Sequence, residues 1–494
     1  DAEPNGLPLM LPYEYSQKIE RIKITSQIND YFHLSKVNVL SAKESQNIDT
    51  VNIFYKSLSE IKIIDFKQKD KGLMELSNVF GSVAAQNISN EFCRLQNGNV
   101  VKEFTNCINT YECIRLNLFG DDEFSSCNKS FSVKISNFLY FHNSKVPFFV
   151  IQSQTIADAF YFPTIGIYYG MAFGLELIIL QNLIEVLSSS KEVTDYLFSS
   201  AKSTFLGWIV HHGLPYHYFY DVMPMVHISL KDEEACKHPI LSIHNEAYLK
   251  LDDFYDCKFQ ILQRESPLLY FENSFFIRLL KNNFSNIQNK HDNVYEYITS
   301  FVDSGKLKYE HNYKITKPVI WIGIIAGKRT WVEQVIGYAL IIRKILKSYK
   351  NAFFIFDGMT TGEGAYKKSY KEHQEIINEI LSKVSHSVNY LSLNGAYASE
   401  KLYFASMVDF FITDGATSSM YVAKFFKKHG VAFFYDNKKL IRHTHYNTIF
   451  YPQDFVHPLD GNKRWDFVSY SIEPKKFARF VLDKLALTLK APNP

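Results

Sequence analysis

Short hydrophobic runs and amphipathic stretches alternate along the second half of the chain. Apolar runs that suit buried strands cover 319–325, 351–356, 388–393, 409–413 and 431–435. Stretches that suit helices lie between them, at 332–349, 366–384, 399–406 and 418–428, and the apolar positions of the first are near helical spacing. This alternation predicts an α/β fold with a parallel sheet covered by helices on both faces. A last amphipathic stretch, 474–489, predicts a terminal helix.

The pattern is different before residue 285. Short strand-like runs at 51–55, 61–66 and 131–141 are separated by polar turns and predict a strand-rich accessory region over 1–145. After it, 146–152 suits a strand, 168–187 a long helix and 204–210 a strand. The polar segment 285–317 suits a linker. We therefore expect three domains, at 1–145, 146–310 and 311–494.

Composition narrows the class of protein. With 494 residues, 46% hydrophobic and 21% charged, the chain is globular and long enough for two or three domains. A net charge of +3 is small for a nucleic-acid binder of this size. The six cysteines include no C-x-x-C pair, which argues against a structural zinc site, and their low number fits a reducing, cytoplasmic compartment. Four of them lie between 93 and 127, so a local disulfide pair stays open as the alternative.

The most apolar stretch, 165–187, is interrupted by four polar residues, so we expect a buried or amphipathic helix and not a membrane span. Peripheral contact with an inner membrane through basic surface segments stays open beside an ordinary surface.

A basic loop follows the predicted strand 319–325. Lys328, Arg329 and Thr330 lie at the carboxyl end of that strand, where open α/β sheets bind their ligands. The planar guanidinium of Arg329 suits a diphosphate. An exposed basic turn is the alternative interpretation.

A turn of small residues follows the predicted strand 409–413 and leads into the predicted helix 418–428. Small side chains allow a phosphate to approach the backbone, and a helix start adds a positive dipole. The candidate phosphate-binding residues are Gly415, Ala416, Thr417 and Ser418. An ordinary capped turn is the alternative.

Two further loops lie at the same predicted edge. Glu400 follows the strand 388–393 and suits a ribose or sugar hydroxyl, although a surface carboxylate is an equal interpretation. The Gly-rich loop that begins with Asp357 and Gly358 has no G-K-[ST] sequence and is therefore not a Walker motif. We interpret it as a candidate mobile lid that lines the cleft.

Histidines cluster at 211–217. His217 and Asp221 are four residues apart, which places both on one face of a helix and suits a general base with an orienting carboxylate. His211 and His212 are candidate cleft residues. A structural role is an equal interpretation, and the pair alone lacks a third metal ligand.

Three segments resemble glycosyltransferase family 61. His217-Tyr-Phe-Tyr-Asp-Val-Met-Pro224 resembles its His-x-x-x-Asp/Glu-x-x-Pro element, Gly327-Lys-Arg-Thr-Trp its basic strand-end loop, and Asp414-Gly-Ala-Thr-Ser-Ser-Met its strand–helix turn. The resemblance covers about 200–435. Asp414 stands where that family commonly has His, and Thr417 where it commonly has Gly, so its donor preference does not carry over.

The resemblance implies a GT-B fold, in which two Rossmann-like lobes face a cleft. It implies a nucleotide-sugar donor on the C-terminal lobe, a glycan or glycolipid acceptor of the bacterial surface polysaccharide or lipooligosaccharide type, and no bound metal or cofactor. A phosphohydrolase or another nucleotide-dependent α/β enzyme is one alternative. A non-catalytic carbohydrate-binding protein is the other.

Overall fold

A computed structural model describes residues 58–120, 124–142, 144–172, 174–263, 268–280, 287–367, 369–384, 387–415, 417–436, 444–459 and 467–490. The chain divides into two compact units. The first unit comprises 1–208 with 264–284, and the second comprises 209–263 with 285–494. These bounds differ from the three predicted ranges 1–145, 146–310 and 311–494.

The described strands, in chain order, are β1 (Lys62–Asp65), β2 (Ile114–Leu116), β3 (Ser125–Val133), β4 (Ser136–Phe141), β5 (Phe148–Gln152), β6 (Ala159–Phe162), β7 (Ile167–Gly170), β8 (Thr204–Val210), β9 (Ile240–Ile243), β10 (Phe259–Leu262), β11 (Leu268–Tyr270), β12 (Ser274–Arg278), β13 (Val319–Gly323), β14 (Phe353–Asp357), β15 (Thr360–Thr361), β16 (Asn389–Ser392), β17 (Ala396–Tyr397), β18 (Phe410–Thr413), β19 (Gly430–Ala432), β20 (Thr448–Phe450), β21 (His457–Pro458) and β22 (Tyr470–Ser471).

The described α-helices of at least eight residues are α1 (Lys69–Phe80), α2 (Ser82–Asn97), α3 (Val100–Tyr111), α4 (Glu176–Ser189), α5 (Lys191–Phe198), α6 (Met223–Leu230), α7 (Ile287–Asp303), α8 (Gln334–Ser348), α9 (Lys371–Ser382), α10 (Ala398–Ser406) and α11 (Pro474–Lys490). Shorter helical segments are Leu58–Glu60, Pro215–His217, Tyr218–Val222, Ala235–Lys237, Leu251–Asp253, Thr417–Ser419, Met420–Phe425 and Gln453–Phe455.

The first unit contains a mostly antiparallel sheet in the order β1-β7-β6-β5-β4-β3-β11, with β2 paired to β3. Only β1 and β7 are parallel among its paired strands. The predicted boundary at 145 falls between β4 and β5, which pair directly, so the sheet is continuous across it. Short connections between successive strands favour antiparallel pairing. The sheet of this unit therefore lacks the parallel order of a Rossmann-like sheet, and the expected lobe over 146–310 stays a prediction.

Two sequence expectations need correction in this unit. The region predicted to be strand-rich contains the three helices α1, α2 and α3, whose buried residues recur at helical spacing within a polar sequence. The helix predicted over 168–187 begins at Glu176, because 167–170 form β7. Among the described helices, none combines the length and hydrophobicity that a membrane span needs.

The second unit is built on a six-stranded sheet in the order β16-β14-β13-β18-β19-β20, and every neighbouring pair is parallel. Numbered along the chain, this order is 3-2-1-4-5-6, the order of the Rossmann fold. From β13 to β16 the strands are added toward one edge of the sheet, and from β18 to β20 they are added toward the other edge. The parallel α/β prediction for 311–494 is confirmed, and β20 is a strand that the sequence pattern did not indicate.

Continuous burial explains the apolar runs of this sheet. Each residue of β13, β14 and β18 is buried, as expected for parallel strands covered on both faces. Helices α8 and α11 pack side by side and contribute to one core with these strands. The predicted helix 418–428 is not an α-helix. A short 3-10 turn, Thr417–Ser419, is followed by the π-helical segment Met420–Phe425.

The buried position of the Trp331 indole depends on a glycine in α8. A Cβ atom at Gly337 would lie 1.9 Å from the indole ring of Trp331, which is buried. We predict that Gly337→Ala lowers the free energy of unfolding by about 2 kcal/mol, because overpacking outweighs the better helix propensity of alanine. Urea denaturation measures this. Gly213→Ala, where the added methyl meets open space, is the control. Equal midpoints for the two variants would contradict the packing argument.

Candidate functional site

The basic loop between β13 and α8 is anchored at both ends. Gln334 accepts a hydrogen bond from the amide of Ile325 (3.5 Å) and donates one to its carbonyl oxygen (2.8 Å). At the other end, the indole N–H of Trp331 donates to the Ile472 carbonyl at 3.1 Å, and the Thr330 carbonyl accepts from the Tyr470 amide at 3.0 Å. The predicted residues 328–330 therefore lie in a short turn between fixed points.

The turn itself has an unusual backbone. Gly327 has φ +80°, and Arg329 adopts the left-handed conformation with φ +55°. A non-glycine residue in this conformation is strained, and such strain is concentrated at functional sites. The Nε of Arg329 is buried and has no hydrogen-bond partner among the described atoms. Lys328 is half-buried, with its Nζ 5.2 Å from the centre of the Phe467 ring.

The turn after β18 lies directly against the end of β13. A Cβ atom at Gly323 would be 2.9 Å from Ser418 Oγ, so glycine at this position allows Ser418 to approach. Gly415 has φ +73°, and its amide donates to Thr413 Oγ1 at 3.3 Å. The Ser418 hydroxyl donates to the buried carboxylate of Asp414. The two predicted ligand-binding loops therefore leave adjacent strands.

Two qualifications apply to this turn. Ala416 lies outside the described residues. The segment after Thr417 is 3-10 and π-helical, so the expected dipole of an α-helix start does not apply. What remains is a turn of small side chains, which allows a ligand to approach the backbone closely.

A cavity of about 10 Å³, close to the smallest volume that holds one water molecule, lies between the two loops. Its lining includes Trp331, Gln334, Asp414 and Tyr470. The Tyr470 hydroxyl has no hydrogen-bond partner among the described atoms. Burial holds the pKa of Tyr470 well above its usual range; the charge of Asp414 adds to this shift, and Arg329 opposes it. Asp414 and Arg329 therefore act on the same buried phenol.

The predicted His217–Asp221 pair is formed. His217 Nδ1 lies 2.6 Å from Asp221 Oδ2, across the junction of Pro215–His217 with Tyr218–Val222. A carboxylate accepts hydrogen bonds, so Nδ1 carries the proton and Nε2 of the neutral ring has a lone pair. The His217 side chain is 33% exposed, so the ring is partly open to solvent.

The other two histidines support this arrangement. The His212 ring stacks on His217, with centroids 4.5 Å apart and planes at 27°. His212 Nδ1 accepts from the Leu214 amide at 3.1 Å. His211 is buried, and its Nδ1 lies 2.7 Å from Glu246 Oε2. His211 is therefore held inside the unit.

The histidine segment contacts two loops at the carboxyl edge of the sheet. The amide of Glu363, in the loop after β14, donates to the Ala247 carbonyl at 2.7 Å, and the Glu246 carbonyl accepts from the His212 amide at 2.9 Å. Phe219 packs edge-on against Tyr421, in the segment that follows β18, with centroids 6.0 Å apart. His217 thus belongs to an element that packs on the sheet that supplies the basic loop.

Asp357 and Gly358 anchor the loop after β14 through contacts with Lys401. Lys401 Nζ lies 2.6 Å from Asp357 Oδ1 and donates to the carbonyl oxygens of Gly358 and Met359 at 2.8 and 3.1 Å. Burial raises the pKa of Asp357, and the Lys401 charge opposes that shift. The loop also contributes β15, which pairs with β17. These contacts anchor the beginning of the loop, and its expected role as a mobile lid stays a prediction.

Glu400 lies in the first turn of α10, and its carboxylate is 2.5 Å from Lys367 Nζ. The Lys367 ammonium is 4.9 Å from the centre of the Tyr397 ring. Glu400 is mostly buried, with a side-chain exposure of 19%. Its expected contact with a ribose or sugar hydroxyl stays a prediction.

Glu363 is a carboxylate that the sequence analysis did not single out. Burial raises its pKa to about 7, nearby Asp253 adds to the shift, and a hydrogen bond from Ser399 (3.5 Å) together with Lys250 and Lys367 opposes it. Ser399 in turn pairs with the Tyr309 hydroxyl at 2.6 Å. Its position between Gly362 and Gly364, in a loop at the ligand edge, was the available signal.

Among the described residues, no group of three or more His, Cys, Asp or Glu side chains is arranged to hold a metal ion. The six cysteines all lie in the described part of the chain and are free thiols.

Comparison with known proteins adds little. A scan against family models and a search of curated proteins give no match. A crystal structure of an S. aureus TarM mutant in complex with Fondaparinux, alpha-GlcNAc-glycerol and UDP is 10% identical, covers 91% of this chain and 85% of that chain, and has a TM-score of 0.21. A second TarM structure is 11% identical, with coverages of 86% and 85% and a TM-score of 0.22. At these TM-scores the likeness carries no argument.

Glu363 predicts a specific pH dependence. In the unfolded chain it ionises near its usual pKa of 4.5, whereas in the folded protein it keeps its proton to about pH 7. The free energy of unfolding therefore falls as pH rises from 4.5 through about 7. Glu363→Gln lacks this loss. The melting temperature of the variant minus that of the wild type should therefore increase by a few degrees between about pH 5 and about pH 8. The exposed Glu375→Gln is the control. A difference that does not change with pH would contradict the assignment.

Proposed function

We propose that the chain is a glycosyltransferase with a GT-B-type donor lobe, which moves a sugar from a nucleotide-sugar to a hydroxyl of a glycan or glycolipid. The observation that carries the proposal is the position of two loops. The basic turn 327–330 and the turn at 414–418 leave β13 and β18, the adjacent parallel strands at which the strand order reverses. In open α/β sheets this crevice is where ligands bind.

The chemistry of the two loops supports a diphosphate as the ligand. Lys328 and Arg329 supply positive charge, and Thr330 adds a hydroxyl. Gly415, Thr417 and Ser418 leave the backbone accessible on the opposite side. The strained backbone of Arg329 fits a side chain that is positioned for binding. We place the diphosphate of the donor between these loops, and Ala416 completes the proposed set.

His217 is the proposed base. As the acceptor oxygen forms its bond to the anomeric carbon, the bond from that carbon to the diphosphate oxygen breaks. The acceptor hydroxyl gives its proton to His217 Nε2, and Asp221 stabilises the resulting imidazolium through Nδ1. The negative charge that develops on the leaving diphosphate is stabilised by Lys328 and Arg329.

The remaining candidates take supporting roles in this proposal. His212 holds the His217 ring by stacking, and His211 fixes the segment through Glu246. Asp357 and Gly358 fix the loop after β14 through Lys401. Glu400 binds a hydroxyl of the donor. The acceptor class, a bacterial surface polysaccharide or lipooligosaccharide, rests on the family resemblance alone.

Removing the guanidinium of Arg329 should weaken both binding and turnover. We expect Arg329→Ala to lower the rate at which the enzyme releases the nucleotide from its preferred sugar nucleotide by about tenfold or more. The reason is that the charge on the leaving diphosphate loses a hydrogen-bond donor. We expect UDP, GDP or CMP to raise the melting temperature of the wild type but to do so less in the variant. The exposed Lys350→Ala is the matched control. Wild-type rates in Arg329→Ala would contradict the role.

Loss of the base should slow transfer without weakening nucleotide binding. His217→Ala is expected to lower the transfer rate by roughly 10²–10⁴. Asp221→Asn should lower it by a similar factor, because Asn removes the charge that stabilises the imidazolium and favours the wrong imidazole tautomer. The nucleotide-induced melting shift should stay unchanged in both variants, and the exposed His457→Ala should behave as the wild type. Release of inorganic phosphate without sugar transfer would instead indicate a phosphohydrolase. Sugar binding with no response to any nucleotide would indicate a non-catalytic protein.

A further inference from the structure

Basic residues are concentrated on two neighbouring helices of the second unit. Helix α8 contains three basic residues and no acidic one, and α11 contains five basic residues and one acidic residue. The pair therefore carries a net charge of +7, whereas the whole chain carries +3. The rest of the chain is net acidic, so this charge is localised.

The charges share one face. Both helices bury one side in the same core, α8 through residues such as Ile342 and Ile345 and α11 through residues such as Val481 and Leu485. Because the helices pack side by side, their opposite sides form one outer surface. Its exposed basic residues are Lys344, Lys347, Lys475, Lys476, Arg479 and Lys490. We call this surface the α8–α11 face.

Aliphatic side chains lie among these charges. Ile336 on α8 and Leu487 on α11 are 56% and 64% exposed. Among the basic residues of the face, Lys476 is the one with an ion pair recorded in the described part of the chain, to Glu473 at 3.0 Å. Asp483 on α11 is an exposed acidic residue of the same face, so the face combines a net positive charge with exposed aliphatic groups.

We propose that the α8–α11 face docks on an anionic phospholipid bilayer. Lysine and arginine side chains are attracted to the negative headgroups, and each one near the surface contributes about 1 kcal/mol. Ile336 and Leu487 enter the boundary between headgroups and acyl chains. A nucleic acid satisfies the charges but offers no apolar layer for the two aliphatic side chains, so the bilayer is the better match.

The test is co-sedimentation of the full chain with vesicles. We expect binding to phosphatidylcholine vesicles that contain phosphatidylglycerol, little binding to phosphatidylcholine alone, and weaker binding as salt screens the charges. Reversing two charges, with Lys347→Glu and Arg479→Glu together, should weaken binding at least ~25-fold, because each charge contributes about fivefold. Lys71→Glu with Lys102→Glu, two exposed lysines on helices of the first unit, is the matched control and should bind as the wild type.

The outcomes are distinct. Equal binding to both kinds of vesicle, or equal loss in the two double variants, would overturn the proposal. Binding to duplex DNA with no vesicle binding would assign the face to nucleic acid instead.

The variant Leu487→Ser gives a second test that does not change the charge. Circular dichroism of each variant shows whether its helices are intact. We expect Leu487→Ser to lose vesicle binding. Wild-type vesicle binding by this variant would contradict the proposed insertion of the aliphatic side chains into the bilayer. Nucleotide binding does not enter this experiment, so its result is independent of the proposed function.

Discussion

The parallel pairing of β13 with β18 is the constraint on which the second unit depends. The two strands are far apart in sequence, yet Ile320, Trp321 and Ile322 are in register with Phe410, Phe411 and Ile412. Because both strands run in the same direction, their carboxyl ends meet at one edge of the sheet. The basic turn and the turn of small residues are neighbours for this reason. Their own sequences do not bring them together.

Tight packing around the two loops converts this proximity into a defined geometry. Gly323 leaves room for Ser418 against β13, and Gly337 leaves room for the indole of Trp331 against α8. Trp331 and Gln334 then fix the two ends of the basic loop by hydrogen bonds. The strained backbone of Arg329 costs about 1–3 kcal/mol and persists because its surroundings hold it in place. A loop held in this way loses little backbone conformational entropy when an anion binds.

Sequence reasoning was most successful where a local pattern is sufficient. The buried strands of the parallel sheet are continuous apolar runs, and α8 and α11 show clear helical spacing, so their positions followed from the chain alone. The His217–Asp221 pair followed for the same reason, since it needs only a four-residue spacing within a helical segment.

Features that depend on distant partners were not predictable in the same way. The segment Met420–Phe425 has the composition of an α-helix, and its π-helical form accompanies the packing of Tyr421 and Phe425 against Phe219, about 200 residues away in the chain. The raised pKa of Glu363 depends on burial and on Asp253, which lies in another part of the unit. Helices α1–α3 were missed because their apolar positions are sparse within a polar sequence.

A crystal structure of the protein with UDP tests the central claim most directly. The account predicts density for the two phosphates between the Lys328–Arg329 turn and the Gly415–Ser418 turn, with the Arg329 guanidinium in contact with a phosphate oxygen. A diphosphate bound elsewhere on the chain, with both turns empty, would contradict it.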